Sequence, residues 1–376
     1  MATFITMLEH SGTGPRVAVK DLIDVIGVPT TAGCKAVADK AQPAVADAPC
    51  LAGARAAGAA IVGKANLYEL ALGGSGTNQW YGTPVNPLDP ALLPGGSSSG
   101  SAVAVAEDAA DYAYGTDTGG SVRIPSAFCG LAGLKTTYGR ISTEGVWPLA
   151  PSLDTVGPIA RDVAGLAAAM ALLEPGFTAR SVNPAAKIGR LRPAANRADP
   201  RIDAAIDAVL QRSGLKVIEV ELPDWPTALA HTYRLLGSEA AAANTSLLAD
   251  PANEAGISGD VWAELQDGSI VTAGQLREAR AYQEVWKSEW TALFSSVEAL
   301  VLPTVAFFPP PLAESRSGDF GQLTAPVNLA GLPALALPVP SAHRLPASLQ
   351  IVGPAGGEEL LLATGALLEA VAGYRP

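Results

Sequence analysis

Gly95-Gly96-Ser97-Ser98-Ser99-Gly100-Ser101 and Asp117-Thr118-Gly119-Gly120-Ser121-Val122-Arg123-Ile124-Pro125 bracket the stretch around which this chain is organised. The first segment sets hydroxyls among glycines, and the second puts one serine directly after two glycines. Between them, Ala102-Val103-Ala104-Val105-Ala106 is a small apolar run that belongs in a core. A serine hydroxyl is a poor nucleophile at its free pKa and needs a base beside it, plus donors aimed at the oxyanion that forms on attack. Glycines allow consecutive backbone amides to face one way and a substrate to come close. The second segment therefore predicts an oxyanion hole from the amides of Thr118, Gly119, Gly120 and Ser121, with Ser121 as the attacking hydroxyl. Taken alone, the first segment also reads as a flexible linker. The apolar run after it and the second turn argue for an active-site loop.

The base is less easily read. Histidine is usual, but His10 lies near a terminus, His231 in a predicted helix and His343 in a Pro- and Ser-rich loop, none in a motif-like setting. A lysine is the alternative. Lys20 ends the run Arg16-Val17-Ala18-Val19-Lys20, and Lys64 ends Ala59-Ala60-Ile61-Val62-Gly63-Lys64, so both stand at predicted strand ends. The residues alone leave the two open. A base lysine must be mostly neutral, which burial or a nearby cation arranges by lowering its pKa.

Composition sets the outer limits. With 376 residues, 48% of them apolar, the chain can bury a large core, read here as one domain over 1–376. A net charge of −11 argues against a phosphate backbone or an anionic membrane surface as main partner. Neither a secretory signal nor an apolar run near the roughly 20 residues of a membrane span is visible. Those features predict a cytoplasmic enzyme of small molecules, without nucleic acid or membrane as partner. Cys34, Cys50 and Cys129 lack CxxC spacing and read as buried small residues. No metal or cofactor is expected, because HExxH, EF-hand, GxGxxG and P-loop patterns are missing.

Along the chain, Asp24–Thr30 reads as a second extended piece, and Asp47 as the cap of a helix through Leu51, Ala52 and Ala56. The Gly-, Asn- and Pro-rich stretch 73–94 reads as a loop lining something. Strands are predicted at 111–115, 187–191, 215–222, 299–303, 333–337 and 348–352, and helices at 201–213, 227–248, 272–294 and 358–371. The alternation of the two predicts an α/β fold, with a more variable helical subregion at about 175–320.

Gly95–Ser126 resembles the amidase signature family over some thirty consecutive positions with fixed spacing. The likeness extends to Val19-Lys20-Asp21, Gly63-Lys64-Ala65-Asn66, Gly76-Thr77-Asn78, Leu153-Asp154-Thr155-Val156-Gly157-Pro158 and Pro326–Pro333. The resemblance implies a central mixed β-sheet covered by helices on both faces. It also implies a Ser-cisSer-Lys triad, with Ser121 as nucleophile, Ser97 as the serine after a cis peptide, and Lys20 as base. It thereby favours Lys20 over Lys64. Gly95, Gly96, Ser98, Asp117 and Arg123 are expected to support the two loops, and Asn78, Tyr81 and Trp147 to lie near the pocket or serve as packing. The wording is closest to compact indole-3-acetamide hydrolase and malonamidase types, while many members of the family carry a longer segment ahead of the residue that matches Lys20. The expected activity is hydrolysis of a small carboxamide through an acyl-enzyme, with a homodimer left open. Two alternatives are the amidase subunit of a glutamine-dependent tRNA amidotransferase, disfavoured by the length of its relatives and by the acidic charge, and an idle binding protein on the same fold.

Overall fold

The computed structural model describes residues 2–9, 12–178, 182–193, 198–314 and 319–374. Eleven strands form one sheet: β1 (Phe4–Met7), β2 (Arg16–Lys20), β3 (Ala60–Ala65), β4 (Tyr112–Asp117), β5 (Ala132–Lys135), β6 (Thr155–Ala160), β7 (Lys187–Leu191), β8 (Lys216–Val220), β9 (Ala299–Pro303), β10 (Ala334–Val339) and β11 (Ala347–Val352). Their spatial order is β1-β3-β2-β4-β6-β5-β10-β11-β9-β7-β8. Pairing is parallel among β3, β2 and β4 and among β9, β7 and β8, and antiparallel elsewhere. The sheet is thus mixed, as expected.

Strand alternation decides what covers each face. Val17, Val19, Val301, Leu335 and Leu337 join the cluster beneath the helices Val163–Leu173, Pro200–Arg212 and Glu358–Ala372. On the other face, Ala18 and Ala113 meet Ala102–Val105 of the Ser99–Ala106 helix, which is where the small apolar run goes. The start of that helix also comes close to the end of β3: a Cβ on Gly100 would come within 2.4 Å of the Asn66 nitrogen. Farther along the same face, Leu300, Leu302 and Val352 pack with Trp225, Trp286 and Trp290. Trp225 Nε1–H donates to the Gln322 carbonyl at 2.9 Å and Trp286 Nε1–H to the Pro326 carbonyl at 2.7 Å, pinning the segment that leads into the Ala325–Ala330 helix.

Three local expectations need correction. Asp47 caps no helix: its carboxylate accepts the Ile26 amide at 2.9 Å and pairs with Arg55, while a short 3-10 turn at Pro49–Leu51 starts the following Ala52–Ala56 helix. Asp24–Thr30 forms isolated bridges rather than a strand, because Val25 and Val28 pair across Gly27, whose φ of 79° makes a turn. The 227–248 helix runs instead over Trp225–Ala243 and breaks at Asn244, whose side-chain amide donates to the Ala240 carbonyl at 2.8 Å. A Gly259–Ser269 helix was not foreseen, since glycines at both ends obscure its apolar Val261, Trp262 and Leu265. Among the described residues no helix is long and apolar enough to cross a membrane.

Candidate active site

Lys20 ends β2, and its side chain is fully buried beneath the Gly-Ser loop. Its Nζ lies 2.7 Å from Ser97 Oγ and 2.8 Å from Thr116 Oγ1. Burial lowers the lysine pKa to about 7, against the opposing charges of Asp117 and Asp154. Lys64, the other strand-end lysine, turns away to an ion pair with Asp21 at 3.1 Å and a hydrogen bond to Thr30 at 2.8 Å.

Ser97 follows a cis Gly96–Ser97 peptide and is wholly buried. Gly95 (φ 75°) precedes it in the left-handed region, where a Cβ would meet the Pro125 Cα at 2.9 Å. A Cβ on Gly96 would meet the Gly76 nitrogen at 2.7 Å. The Ser98 amide donates to the Ser121 carbonyl at 3.2 Å, which ties the two segments together, and Ser98 Oγ–H donates to the Thr116 carbonyl at 3.3 Å.

Asp117 organises the second turn. Its Oδ1 accepts the Gly120 amide at 2.9 Å, and its Oδ2 accepts the amides of Val122 at 3.2 Å and Arg123 at 3.4 Å. Burial alone would raise this carboxyl, but the Arg123 guanidinium, with help from Lys135 and Asn328, holds it well below the usual carboxylate range. Arg123 is itself completely buried and reaches the Thr324 carbonyl, Asn328 and Gln350. Both residues therefore brace the turn. Gly120 has a φ of 135°, and a Cβ there would sit 2.2 Å from Thr324 Oγ1, whereas Gly119 has ordinary room.

Of the four amides expected to receive an oxyanion, that of Gly120 is thus already held by Asp117. Those of Thr118, Gly119 and Ser121 have no hydrogen-bond partner among the described residues. Thr118 contributes its hydroxyl, which donates to Asp154 Oδ1 at 2.6 Å. Asp154 also accepts the amides of Leu149 and Ala150, so it fixes the Thr118 end of the turn.

Ser121 lines a cavity of about 540 Å³. The Trp225–Ala243 helix contributes Tyr233, Leu236 and Gly237, and the Gly259–Ser269 helix contributes Glu264, Asp267 and Gly268. A volume of this size is within the usual range of ligand pockets. A buried amine beside one hydroxyl, with a second hydroxyl on the cavity wall and free amides next to it, is equipped to activate a serine and receive an oxyanion.

Other expected residues lie elsewhere. Asn78 is a packing residue: its side-chain amide donates to the carbonyls of Gly33 and Leu67, and its oxygen accepts the amides of Trp80 and Tyr81. Neither Asn78, Tyr81 nor Trp147 lines the cavity. His231 stacks on Tyr282 at 4.6 Å and His343 on Phe308 at 4.2 Å, and neither lines the cavity that holds Ser121; His10 falls outside the described residues. The three cysteines are buried, free thiols, and burial pushes Cys34 and Cys50 up to about 12. Thr116, Asp154, Thr324 and Asn328 were not singled out. Thr116 lies two positions before Thr118, so two-residue alternation offered a signal for it, while Asp154 and Asn328 lie in the stretches Leu153–Pro158 and Pro326–Pro333 that carry the resemblance.

Comparison with known proteins puts these residues in context. Residues 13–362 match the family model described as Amidase. The chain is 34% identical over 418 residues to a glutamyl-tRNA(Gln) amidotransferase subunit of Halobacterium salinarum, covering 97% of this chain and 98% of that protein. It is 37% identical to the protein of the same name from Thermus thermophilus, over 92% of this chain and 82% of that one. A solved structure described as an amidase superposes with a TM-score of 0.86 at 34% identity, covering 95% of this chain and 84% of that chain. These relatives correct two expectations. Length does not separate this chain from the tRNA amidotransferase subunits, since it spans nearly all of the Halobacterium protein. Nor does the expectation of a small-molecule substrate without nucleic acid, with at most a homodimer as protein partner, stand, because relatives this similar are named as subunits of a glutamyl-tRNA(Gln) amidotransferase. Net charge bears on which surface touches phosphate, not on which assembly a chain joins. Match and likeness span the whole of Gly95–Ser126, and on them the chain belongs to the amidase signature family.

Proposed function

We propose that this chain cleaves a carboxamide C–N bond through a relay of Ser121, Ser97 and Lys20, and that it does so as the amidase subunit of a tRNA-directed amidotransferase. The observation that carries the chemistry is the 2.7 Å contact between the buried Lys20 Nζ and Ser97 Oγ. The assembly rests on the relatives named above.

In this reading neutral Lys20 accepts the Ser97 proton as Ser97 accepts that of Ser121. The Ser121 oxygen bonds to the amide carbon, and the carbonyl electron pair moves onto the oxyanion facing the Gly119 and Ser121 amides. The C–N bond then breaks, the relay returns a proton to the leaving nitrogen, and ammonia departs. Water, deprotonated along the same relay, releases the carboxylate from the Ser121 ester.

Because the relay needs a neutral lysine, the sign of the pH dependence is set. Below about 7 Lys20 is protonated and inactive, so kcat/KM should rise with pH through about 7 and then level off. A rate that falls as pH rises from 6 to 8 would contradict the role of Lys20.

The assembly is tested by mixing the chain with the remaining amidotransferase subunits of its own source and following glutamyl-tRNA(Gln). Amidation that depends on this chain is the expected result. Ammonia release by the chain alone, with no amidation in the mixture, would leave the hydrolysis standing and overturn the assembly.

A further inference from the structure

The Trp225–Ala243 and Gly259–Ser269 helices cross unusually closely. A Cβ on Gly268 would fall 2.0 Å from the Gly237 carbonyl oxygen, so the crossing depends on glycine at 268. This contact carries Glu264 and Asp267, neighbours at i and i+3 on one helix face, to the wall of the cavity that holds Ser121. Asp319 lines it too, and accepts a hydrogen bond from Tyr233, another wall residue.

The rest of the described lining is apolar or uncharged, with Leu72, Ile124, Leu149, Leu236, Val271 and Phe320 as its larger side chains. No Lys, Arg or His lines the cavity among the described residues. Arg234, beside Tyr233 in the chain, pairs instead with Glu278 at 3.6 Å. Glu264 is an exposed residue. Even so, the protein packed around its carboxyl, and then the charges of Asp260 and Asp267, push its pKa up to about 7. Like charges gathered where no cation lines the wall are unfavourable, and a cation entering the cavity relieves them.

We propose that this cavity selects amides whose acyl chain carries an ammonium group, with Glu264 and Asp267 setting the preference. The acidic wall defines no separate site; it decides what the cavity in front of Ser121 accepts. The inference rests on the amidase reading for its biological sense, but it concerns binding and can be tested without turnover. An acyl chain bearing only a carboxylate meets repulsion here, and a neutral one meets neither attraction nor repulsion.

Calorimetric binding to the Ser121→Ala chain supplies the test, with three primary amides of nearly equal shape: ω-aminovaleramide (cationic), hexanamide (neutral) and glutaramate (anionic). The cationic amide should bind at least about tenfold more tightly than hexanamide, and glutaramate more weakly than both. Adding Glu264→Gln and Asp267→Asn should bring the three together. Equal affinities, undetectable binding of the cationic amide, or tightest binding of glutaramate would overturn the proposal. Ammonia release by the unmutated chain reads the hydrolysis separately. Charge preference without ammonia, from the chain alone and from its mixture with the other subunits, would count against the amidase relay alone, and ammonia without charge preference against the cavity's selectivity alone.

Discussion

Lys20→Met is expected to lower kcat by about four orders of magnitude while leaving the fold more stable than before. The two effects have one cause. A fully buried ammonium is disfavoured, so burial holds the amine near 7, and a methionine of similar length removes the penalty together with the base. The sign follows from linkage. Lys20 has a folded pKa below its ordinary value, so the unfolded chain binds more protons between about 7 and 10.5, and the stability of the unmutated protein rises with pH across that window. The gain from methionine should therefore be largest below about 7 and fade toward 10.5. Losing the contacts to Ser97 and Thr116 reduces it, leaving about 1–3 kcal/mol near neutrality. Urea unfolding at two pH values, with ammonia release alongside, measures both. A variant with full activity would remove Lys20 from the relay.

Arg123→Ala should have the largest effect on stability. It removes the only cation paired with Asp117 among the described residues and leaves a buried carboxylate that still binds the turn's amides. Breaking a buried pair from one side costs about 3–5 kcal/mol, a large part of the roughly 5–15 kcal/mol that holds a domain folded. Contacts to Thr324, Asn328 and Gln350 go with it, so the Ala325–Ala330 helix loosens from the turn. Turnover should fall for every substrate alike, and a defect confined to some substrates would contradict the bracing role. Asp117→Ala on top of Arg123→Ala should cost much less than the sum of the two single changes, because each removes the same pair.

The sequence made the Gly95–Pro125 stretch legible because its constraints are local. Gly95, Gly96 and Gly120 hold backbone positions that a Cβ would obstruct, and such needs leave a fixed pattern of glycine and serine. The strand ends carrying Lys20 and Lys64 were legible from their β-branched runs, but choosing between them needed either the family resemblance or the fold. That choice depends on β2 lying between β3 and β4, a pairing across distant parts of the chain that no local pattern encodes. Thr116 was hidden for the same reason, since it meets Lys20 across the sheet; Asp154 and Asn328 stood within stretches that carry the resemblance, but their contacts to Thr118 and to Asp117 and Arg123 join distant parts of the chain. The cavity wall was least legible. Its Gly259–Ser269 helix has a glycine at 268 that weakens a helical reading, and this glycine is what admits the close crossing that brings Glu264 and Asp267 to the site.

The most direct measurement is the intact mass of the protein after incubation with a fluorophosphonate, taken for the unmutated chain and for Ser121→Ala. A serine activated by the Lys20–Ser97 pair gives one adduct on the unmutated chain and none on the variant. An unlabelled unmutated chain, or an equal adduct on Ser121→Ala, would contradict the assignment of Ser121 as the nucleophile.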